Sequence, residues 1–286
     1  MITARDLKLR RMTIEDIPAG MLLCRAAGWN QLEDDWRVFF ASSRGGAVLV
    51  EIRGQVVGTC AYIHYGSLAW IAMMLVRPEE RGSGLGPHLM REVLNELRDT
   101  ECVGLDATPL GEPLYRRAGF VSDYGLVRTK AIINAAGFGV LSGRARRMQK
   151  SDLPHVLLRD REVFGADRGL LLTALLDRAP DCAWIVEEGA TLRGYCFGRP
   201  GRLYHLLGPV VAEGGVTACD LVSACLAEQN GQTFAIDAPR LDAEWVAWLA
   251  SVGFTEERPF VRMFRRGNRH PGIPTKQYAI GGPEFA

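Results

Sequence analysis

Residues 68–86 read LAWIAMMLVRPEERGSGLG, and this stretch decides the fold. Its first nine residues, Leu68 to Val76, are apolar throughout, which is typical of a strand buried on both faces of a sheet. A glycine-rich turn follows, and leucine or valine then recurs at every fourth position from Leu85 to Leu97. The stretch therefore predicts a central strand, a glycine turn and an amphipathic helix.

A glycine turn that opens a helix can bind an anion. Glycines let the backbone approach a ligand closely, and the free N–H groups at the start of the helix favour phosphate. A P-loop would need Gly-Lys-Ser/Thr, whereas Gly86 is followed by Pro87-His88. A Rossmann dinucleotide loop gains some support from Asp106, which lies 20 residues past Gly86, but Pro87 replaces the third glycine. A turn that binds nothing is a further alternative.

The two halves of the chain repeat each other. The residues RRM at 10–12 and DIP at 16–18 recur as RRM at 146–148 and DLP at 152–154, an offset of 136 residues. Gly58-x-Cys60 recurs at the same offset, and Gly119-Phe120 recurs as Gly253-Phe254. Matches in the same order at a nearly constant offset predict two related domains, residues 1–143 and 144–286. Each is expected to be α/β (α+β), with a mixed, mostly antiparallel central sheet flanked by helices.

Composition narrows the class of function. The 34 basic and 33 acidic side chains give a net charge of +1, so no overall field attracts nucleic acid or an anionic membrane. No apolar run approaches the roughly 20 residues of a membrane span, and charges occupy the amino terminus, so we expect a cytoplasmic protein. The seven cysteines contain no C-x-x-C pair, and we expect reduced thiols and no metal site.

Two motifs together resemble a known family. The loop RGSGLG at 81–86 is preceded by a strand and Val76-x-Pro78, and LYRRAGF occupies residues 114–120. These segments are similar to the pyrophosphate loop and the L-Y-x-x-x-G-F segment of the GNAT acyl-CoA N-acyltransferase superfamily. The first half also follows the family's element order, and a tandem arrangement of two copies is familiar there.

The resemblance implies a binding site for acetyl-CoA in the first domain. The cofactor-binding residues that it implies are Met74, Leu75 and Val76 on the strand and Arg81, Gly82, Ser83, Gly84, Leu85 and Gly86 in the loop. In the family, the strand before the loop splays from its neighbour and leaves backbone groups for the pantetheine arm and the carbonyl. Tyr115 matches the family tyrosine that donates a proton to the departing sulfur; packing under the Gly119-Phe120 turn is the alternative for it.

The general base and the acceptor pocket are less well defined. Family members often carry a glutamate on the central strand, but residues 68–76 contain no ionisable group. The alternatives are Asp106, His64, Asp34 and Asp35, or proton loss through water. Thr108 stands where the family often has an asparagine. The predicted substrate contacts are Trp29, Asn30, Asp35, Trp70 and Asp106.

The second copy is expected to have lost the cofactor. The offset of 136 places Thr217, Ala218, Asp220 and Val222 at the positions of Arg81, Gly82, Gly84 and Gly86, where side chains would obstruct phosphate. The offset of 134 places Leu249 at the position of Tyr115.

We therefore expect an enzyme that transfers an acetyl group from acetyl-CoA to a primary amine of a small molecule or peptide. The sequence does not identify the acceptor or the oligomeric state. A sensor or scaffold that binds acyl-CoA without transfer is the rival hypothesis, and a Rossmann-like oxidoreductase is a weaker third.

Overall fold

The structure is a computed structural model, and it describes residues 7–138 and 142–286. Contacts between residues divide the chain into two compact units. Unit 1 comprises the residues up to Ser122 together with Met263–Arg269, and unit 2 comprises Asp123–Arg262 and His270–Ala286. Unit 1 thus includes a short segment from a distant part of the sequence, and the boundary expected at residue 143 stays a prediction.

Unit 1 is a mostly antiparallel sheet with helices packed on it. Its elements are β1 (Leu7–Arg11), α1 (Ile17–Ala26), α2 (Glu33–Ala41), β2 (Gly46–Ile52), β3 (Gln55–Tyr65), β4 (Leu68–Val76), α3 (Leu85–Glu96), β5 (Cys102–Ala107) and α4 (Glu112–Arg117). Strands β1 to β4 pair as antiparallel neighbours, and β5 runs parallel to β4. The predicted central strand is observed with the predicted bounds. The sequence interpretation missed β1, because its charged residues hide the alternation of a strand.

Unit 2 repeats this arrangement. Its elements are β6 (Phe120–Ile132), β7 (Ala145–Arg147), α5 (Leu153–Phe164), α6 (Gly169–Arg178), β8 (Trp184–Glu188), β9 (Thr191–Arg199), β10 (His205–Ala212), α7 (Gly215–Leu226), β11 (Thr233–Pro239), α8 (Ala243–Ser251), β12 (Thr255–Arg265) and β13 (Gln277–Ala279). Strands β7 to β10 are antiparallel, and β11 is parallel to β10 and antiparallel to β6. The first residues of β6 and the last residues of β12 belong to unit 1.

The repeat extends to individual hydrogen bonds. Arg10 donates to Asp16 at 2.7 Å and, through Nε, to Glu51 at 3.0 Å. At an offset of 136 residues, Arg146 donates to Asp152 at 2.8 Å and, through Nε, to Glu187 at 3.1 Å. Each cluster ties the start of a helix to a hairpin strand. The same local construction in both units confirms that the sequence matches reflect a structural repeat.

The helix after β4 buries the stripe that its sequence predicts. Leu89 and Val93 of α3 have no exposed surface, and the helix packs on β2, β3 and β4. In unit 2, Leu221 and Val222 of α7 are equally buried in that unit's core. Burial of large aliphatic side chains stabilises each sheet–helix pair by roughly 1.5–3 kcal/mol per side chain, so these contacts fix the helix that follows each central strand.

Candidate active site

The glycine loop in unit 1 leaves the start of α3 open. Gly84 caps the helix with φ 89°, and Gly82 has φ 79°, conformations that side chains rarely adopt. A Cβ atom built on either glycine would meet nothing within 4 Å. The first N–H groups of an α-helix have no partner inside the helix. The loop is therefore an exposed backbone cradle, with open space at both glycines that side chains at these positions would fill.

Two side chains of the loop brace it from within. The Nε of Arg81 donates to the carbonyl oxygen of Val76 at 3.2 Å, and the hydroxyl of Ser83 donates to the carbonyl oxygen of Glu80 at 2.5 Å. Arg81 is otherwise exposed. The Arg81 bond connects the loop to the end of β4, and the Ser83 bond holds the turn itself. Contact between Arg81 and phosphate stays a prediction.

Strand β4 carries a bulge shortly before the loop. Thr59 of β3 pairs with Leu75, and Ala61 pairs with Ala72, so Met73 and Met74 together face the single residue Cys60. Met73 has φ 49°, which is uncommon for a residue other than glycine. Bulges of this kind often lie beside active sites, where they redirect backbone groups.

Strands β4 and β5 separate beside the bulge. They pair from Leu68 with Cys102 to Trp70 with Gly104, although β4 continues to Val76 and β5 to Ala107. Within the described part of unit 1, the edge of β4 beyond Trp70 is therefore not paired with β5. This edge contains Met74, Leu75 and Val76, the strand residues that the resemblance implied for the cofactor.

Tyr115 lies on α4, close to both the loop and the bulge. Leu114, its neighbour, would contact a Cβ atom built on Gly86 at 3.4 Å, which places α4 against the first turn of α3. The Tyr115 side chain is 9% exposed and packs edge-on against Phe120, with ring centroids 6.2 Å apart. Burial, with a smaller effect of Cys60, raises the pKa of Tyr115 above its ordinary value. Its phenol is thus a neutral hydrogen-bond donor at physiological pH.

The predicted acceptor residues have mixed surroundings. Asp35 is fully buried, and its carboxylate accepts a hydrogen bond from the Leu32 amide at 2.8 Å, at the start of α2. Trp70 is 1% exposed and packs edge-on against Phe264, 6.2 Å away. Asn30 is buried, and Trp29 is half-buried. Their contact with an acceptor stays a prediction.

Asp106, one of the four base candidates, lies on the strand that borders the opening. It is half-buried on β5, two residues beyond Gly104, where the pairing with β4 ends. His64 pairs with Ala69 at the opposite end of β4 from the bulge, and burial together with the charge of Arg44 lowers its pKa. Asp34 is exposed and lies 3.5 Å from Arg37 Nε. Asp106 thus lies beside the point where the strands part, and the role of each candidate as a base stays a prediction.

Unit 2 has a much shorter connection after its central strand. Strand β10 ends at Ala212 and α7 begins at Gly215, so Glu213 and Gly214 replace residues 77–84 of unit 1. The constant offset fails across this deletion, and the predicted equivalents of the loop, Thr217, Ala218, Asp220 and Val222, lie inside α7 instead. That correspondence was wrong. Glu213 pairs with Lys276 at 3.0 Å and also with Arg159, so a carboxylate lies at the start of this helix.

The equivalent of the opening is filled in unit 2. Strands β10 and β11 pair only through His205 with Phe234 and Leu206 with Ala235. Strand β13 pairs with β10 beyond this point, Val210 with Ala279 and Val211 with Gln277. The Ile280 amide donates to the Asp237 carbonyl oxygen of β11 at 3.0 Å. The chain itself therefore occupies the position that stays open in unit 1, and the three-residue strand gave no recognisable sequence signal.

The tyrosine is also absent from unit 2. Leu249 of α8 lies four residues before Gly253, as Tyr115 lies four residues before Gly119, and both glycines have positive φ. Leu249 is fully buried. The predicted equivalence of these two residues agrees with their positions on the two helices.

The described residues contain no cluster of three or more potential metal ligands. No helix in the described ranges is long and apolar enough to span a bilayer.

Known proteins share both halves of this architecture. Residues 17–120 match the profile of the acetyltransferase (GNAT) family, and residues 156–279 match that of an acetyltransferase (GNAT) domain. A holothin acyltransferase of Pseudoalteromonas sp. (strain SANK 73390) is 27% identical over 91% of this chain and 88% of its own length. These matches extend over nearly the whole molecule.

Solved structures agree on the fold. A putative acetyltransferase from Pyrococcus horikoshii superposes with a TM-score of 0.83 at 20% identity, covering 100% of this chain and 98% of that one. A tandem GNAT protein from the clavulanic acid biosynthesis pathway gives a TM-score of 0.64 at 13% identity, covering 92% and 99%. With its glycine loop, its parted strands and two matching profiles, the chain belongs to the GNAT acyltransferase superfamily and carries two GNAT domains in tandem.

Proposed function

We propose that this protein transfers an acetyl group from acetyl-CoA to a primary amine of a small molecule or peptide, at a single site in unit 1. The observation that carries the proposal is the open glycine cradle at the start of α3, next to a strand edge that β5 leaves unpaired. The relative named as an acyltransferase and the tandem protein from a biosynthetic pathway support a small-molecule acceptor.

Two parts of unit 1 would bind different parts of the cofactor. The amides of residues 82–86 would hold the diphosphate of the cofactor, because several N–H donors converge there with the positive end of the helix dipole. The free edge of β4 at Met74, Leu75 and Val76 would hold the pantetheine arm. When bound, acyl-CoA supplies a thioester carbon that an amine can attack.

Two protons must move for the reaction to balance. The amine loses a proton as its nitrogen forms the new bond to carbon, and the sulfur gains one as the carbon–sulfur bond breaks. Tyr115, kept neutral by burial, donates a hydrogen bond to the sulfur as negative charge develops there. Asp106 is our candidate for accepting the proton of the amine, directly or through water, since it lies where the strands part.

One observation favours the rival hypothesis of a binding protein without transfer activity. No residue of β4 is ionisable, whereas the family often has a glutamate there. A protein of this kind would bind acetyl-CoA and release no thiol with any amine.

The decisive variant is Gly84→Asp, compared with Gly66→Asp. Both glycines have positive φ, 89° and 84°, and a Cβ atom built on either meets nothing within 4 Å, so the backbone penalty is matched. Only Gly84 lies at the predicted diphosphate site. Calorimetric titration should show acetyl-CoA binding to the wild-type protein and to Gly66→Asp, and a loss of about 100-fold or more in Gly84→Asp through obstruction and charge repulsion.

Thiol release with a panel of primary amines then tests transfer. Release with at least one amine supports the enzyme, and binding without release supports the sensor. Unchanged affinity in a folded Gly84→Asp variant, or NAD(P) binding in place of acetyl-CoA, would overturn the proposed site.

A further inference from the structure

We infer that Thr59 is a positioning residue, which holds the peptide unit between Met73 and Met74 in the orientation that the acyl carbonyl requires. The inference rests on the proposed function, since it concerns the way unit 1 would hold an acyl-CoA. Thr59 lies on β3, has no exposed surface, and donates its hydroxyl hydrogen bond to the Met73 carbonyl oxygen at 3.0 Å.

The geometry of the peptide bond transmits the effect of this contact. In a trans peptide unit, the carbonyl of one residue and the N–H of the next point in opposite directions. Because the Met73 carbonyl points to the Thr59 hydroxyl, the Met74 N–H points away from Thr59. Strand β3 lies on one side of β4, and the other side is the edge that β5 leaves unpaired. Thr59 thereby sets the direction of an amide near the predicted site of the carbonyl.

The Met73 conformation needs such a support. A φ of 49° at a residue with a side chain costs on the order of 1–3 kcal/mol, and it persists only when the surroundings hold it. The Thr59 hydroxyl is a buried donor directed at this residue. Without the hydrogen bond, the peptide unit could relax towards regular strand geometry, which would turn the Met74 amide.

Unit 2 supports the connection between Thr59 and function. Tyr195 occupies the equivalent place, pairing with Val211 as Thr59 pairs with Leu75. Its hydroxyl donates to Asp160 and not to the backbone of β10. Unit 1, which has the open cradle, thus has a hydroxyl bonded to the backbone of its bulge. In unit 2, which has no such cradle, the residue at the equivalent place bonds to Asp160 instead.

The test compares the affinities of acetyl-CoA and CoA, because they differ only in the acetyl group. We expect Thr59→Val to lower the ratio of acetyl-CoA affinity to CoA affinity by roughly three- to tenfold, the value of one lost hydrogen bond. CoA affinity itself should stay within about twofold. Thr59→Ser, which keeps the donor, should have the wild-type ratio. Hydrogen exchange of the Met73 and Met74 amides in the ligand-free protein should become faster in Thr59→Val and not in Thr59→Ser.

Thr129→Val is the matched control. Thr129 is also buried and donates its hydroxyl to a backbone carbonyl, that of Ile236 at 3.2 Å, but it lies in unit 2. The Thr129→Val variant should lose a similar amount of stability and keep the wild-type ratio of acetyl-CoA affinity to CoA affinity. If Thr59→Val does not fold, Thr59→Cys keeps the size with a weaker donor and should give an intermediate ratio.

The possible failures are distinguishable. If neither ligand binds to the wild-type protein, the proposed function fails. If both bind and Thr59→Val keeps the wild-type ratio, or if Thr59→Ser loses it as fully as Thr59→Val, the role of Thr59 is overturned while the proposed function stands.

Discussion

At the scale of single residues, burial sets the protonation state of Tyr115, the residue that we propose as the hydrogen-bond donor to the sulfur. A free phenol has a pKa of about 10 and a free thiol about 8.5, so proton transfer from tyrosine to a thiolate has little driving force. Burial raises the pKa of Tyr115 further. The contribution we expect is a hydrogen bond that strengthens as charge develops on the sulfur, and such a contribution acts in the transition state.

Replacement of Tyr115 by phenylalanine isolates this hydrogen bond. The ring and its packing against Phe120 remain, and the donor is lost. We expect kcat to fall by about 10²-fold or more, the lower range for general acid catalysis, with nearly unchanged affinity for acetyl-CoA. The wild-type rate should show no decline from tyrosine ionisation below pH of about 10, since the raised pKa keeps the phenol protonated there. Steady-state thiol release over a range of pH measures both.

Tyr62→Phe is the control for this variant. Tyr62 lies on β3 of the same unit, and its hydroxyl donates to Glu96 at 3.4 Å. Removing that hydroxyl should leave kcat unchanged. If Tyr115→Phe also keeps the wild-type kcat, the tyrosine has a packing role, and if it loses acetyl-CoA affinity instead, the hydroxyl serves ground-state binding.

At the scale of elements, β13 is the main reason that we expect a single site for the cofactor. It fills the space between β10 and β11, whereas the corresponding space between β4 and β5 in unit 1 stays open. In addition, the two residues Glu213 and Gly214 are too few to form a second cradle. We expect calorimetric titration of the full chain to give one acetyl-CoA per chain. Two equivalent sites would contradict this prediction.

Hydrogen exchange locates the single site. Between residues 71 and 76 of β4, the amides that do not bond to β3, Met74 among them, should become protected when acetyl-CoA is added. Amides at Val210, Val211 and Ile280 should be protected without ligand and should not change on its addition, because the chain already covers them. Ligand-dependent protection at β10 would contradict the prediction, because it would mean that acetyl-CoA displaces β13 from β10.

The sequence predicted those elements whose physical signal is local. The apolar run at Leu68–Val76 and the glycines after it were sufficient to place the central strand and the loop. The fixed offset misplaced the second loop, because six residues are missing there and only the structure shows where α7 begins. Strand β13 and the Met73 bulge depend on pairing between distant residues, which short-range periodicity does not encode.

At the scale of the whole molecule, unit 1 is not a continuous piece of chain. Met263–Arg269 belong to it, Phe264 packs on Trp70, and the Arg266 amide donates to the Gly119 carbonyl oxygen at 3.1 Å. A Cβ atom on Gly104 would also lie 2.9 Å from Phe264, so this aromatic ring is closely packed. Removing a buried phenylalanine typically costs 3–5 kcal/mol, a large part of the stability of a domain.

We therefore expect residues 1–143, expressed alone, to lack a cooperative thermal transition and to bind acetyl-CoA poorly. The same fragment joined by a flexible linker to residues 255–269 should recover at least part of both properties. Differential scanning calorimetry and titration with acetyl-CoA measure the two outcomes. A cooperative transition and full-length affinity in the short fragment would show that the distant segment is dispensable.

The distant segment also affects the order of events during synthesis. Domains usually fold from the amino terminus onward as they leave the ribosome. Every residue of the proposed acyl-transfer site has been synthesised once translation reaches residue 115. The aromatic ring that packs against Trp70 belongs to Phe264, which is added much later. The site should therefore remain incomplete until translation has passed Arg269. Exchanging halves between tandem relatives at residue 143 would then separate each nascent site from the strand that completes it.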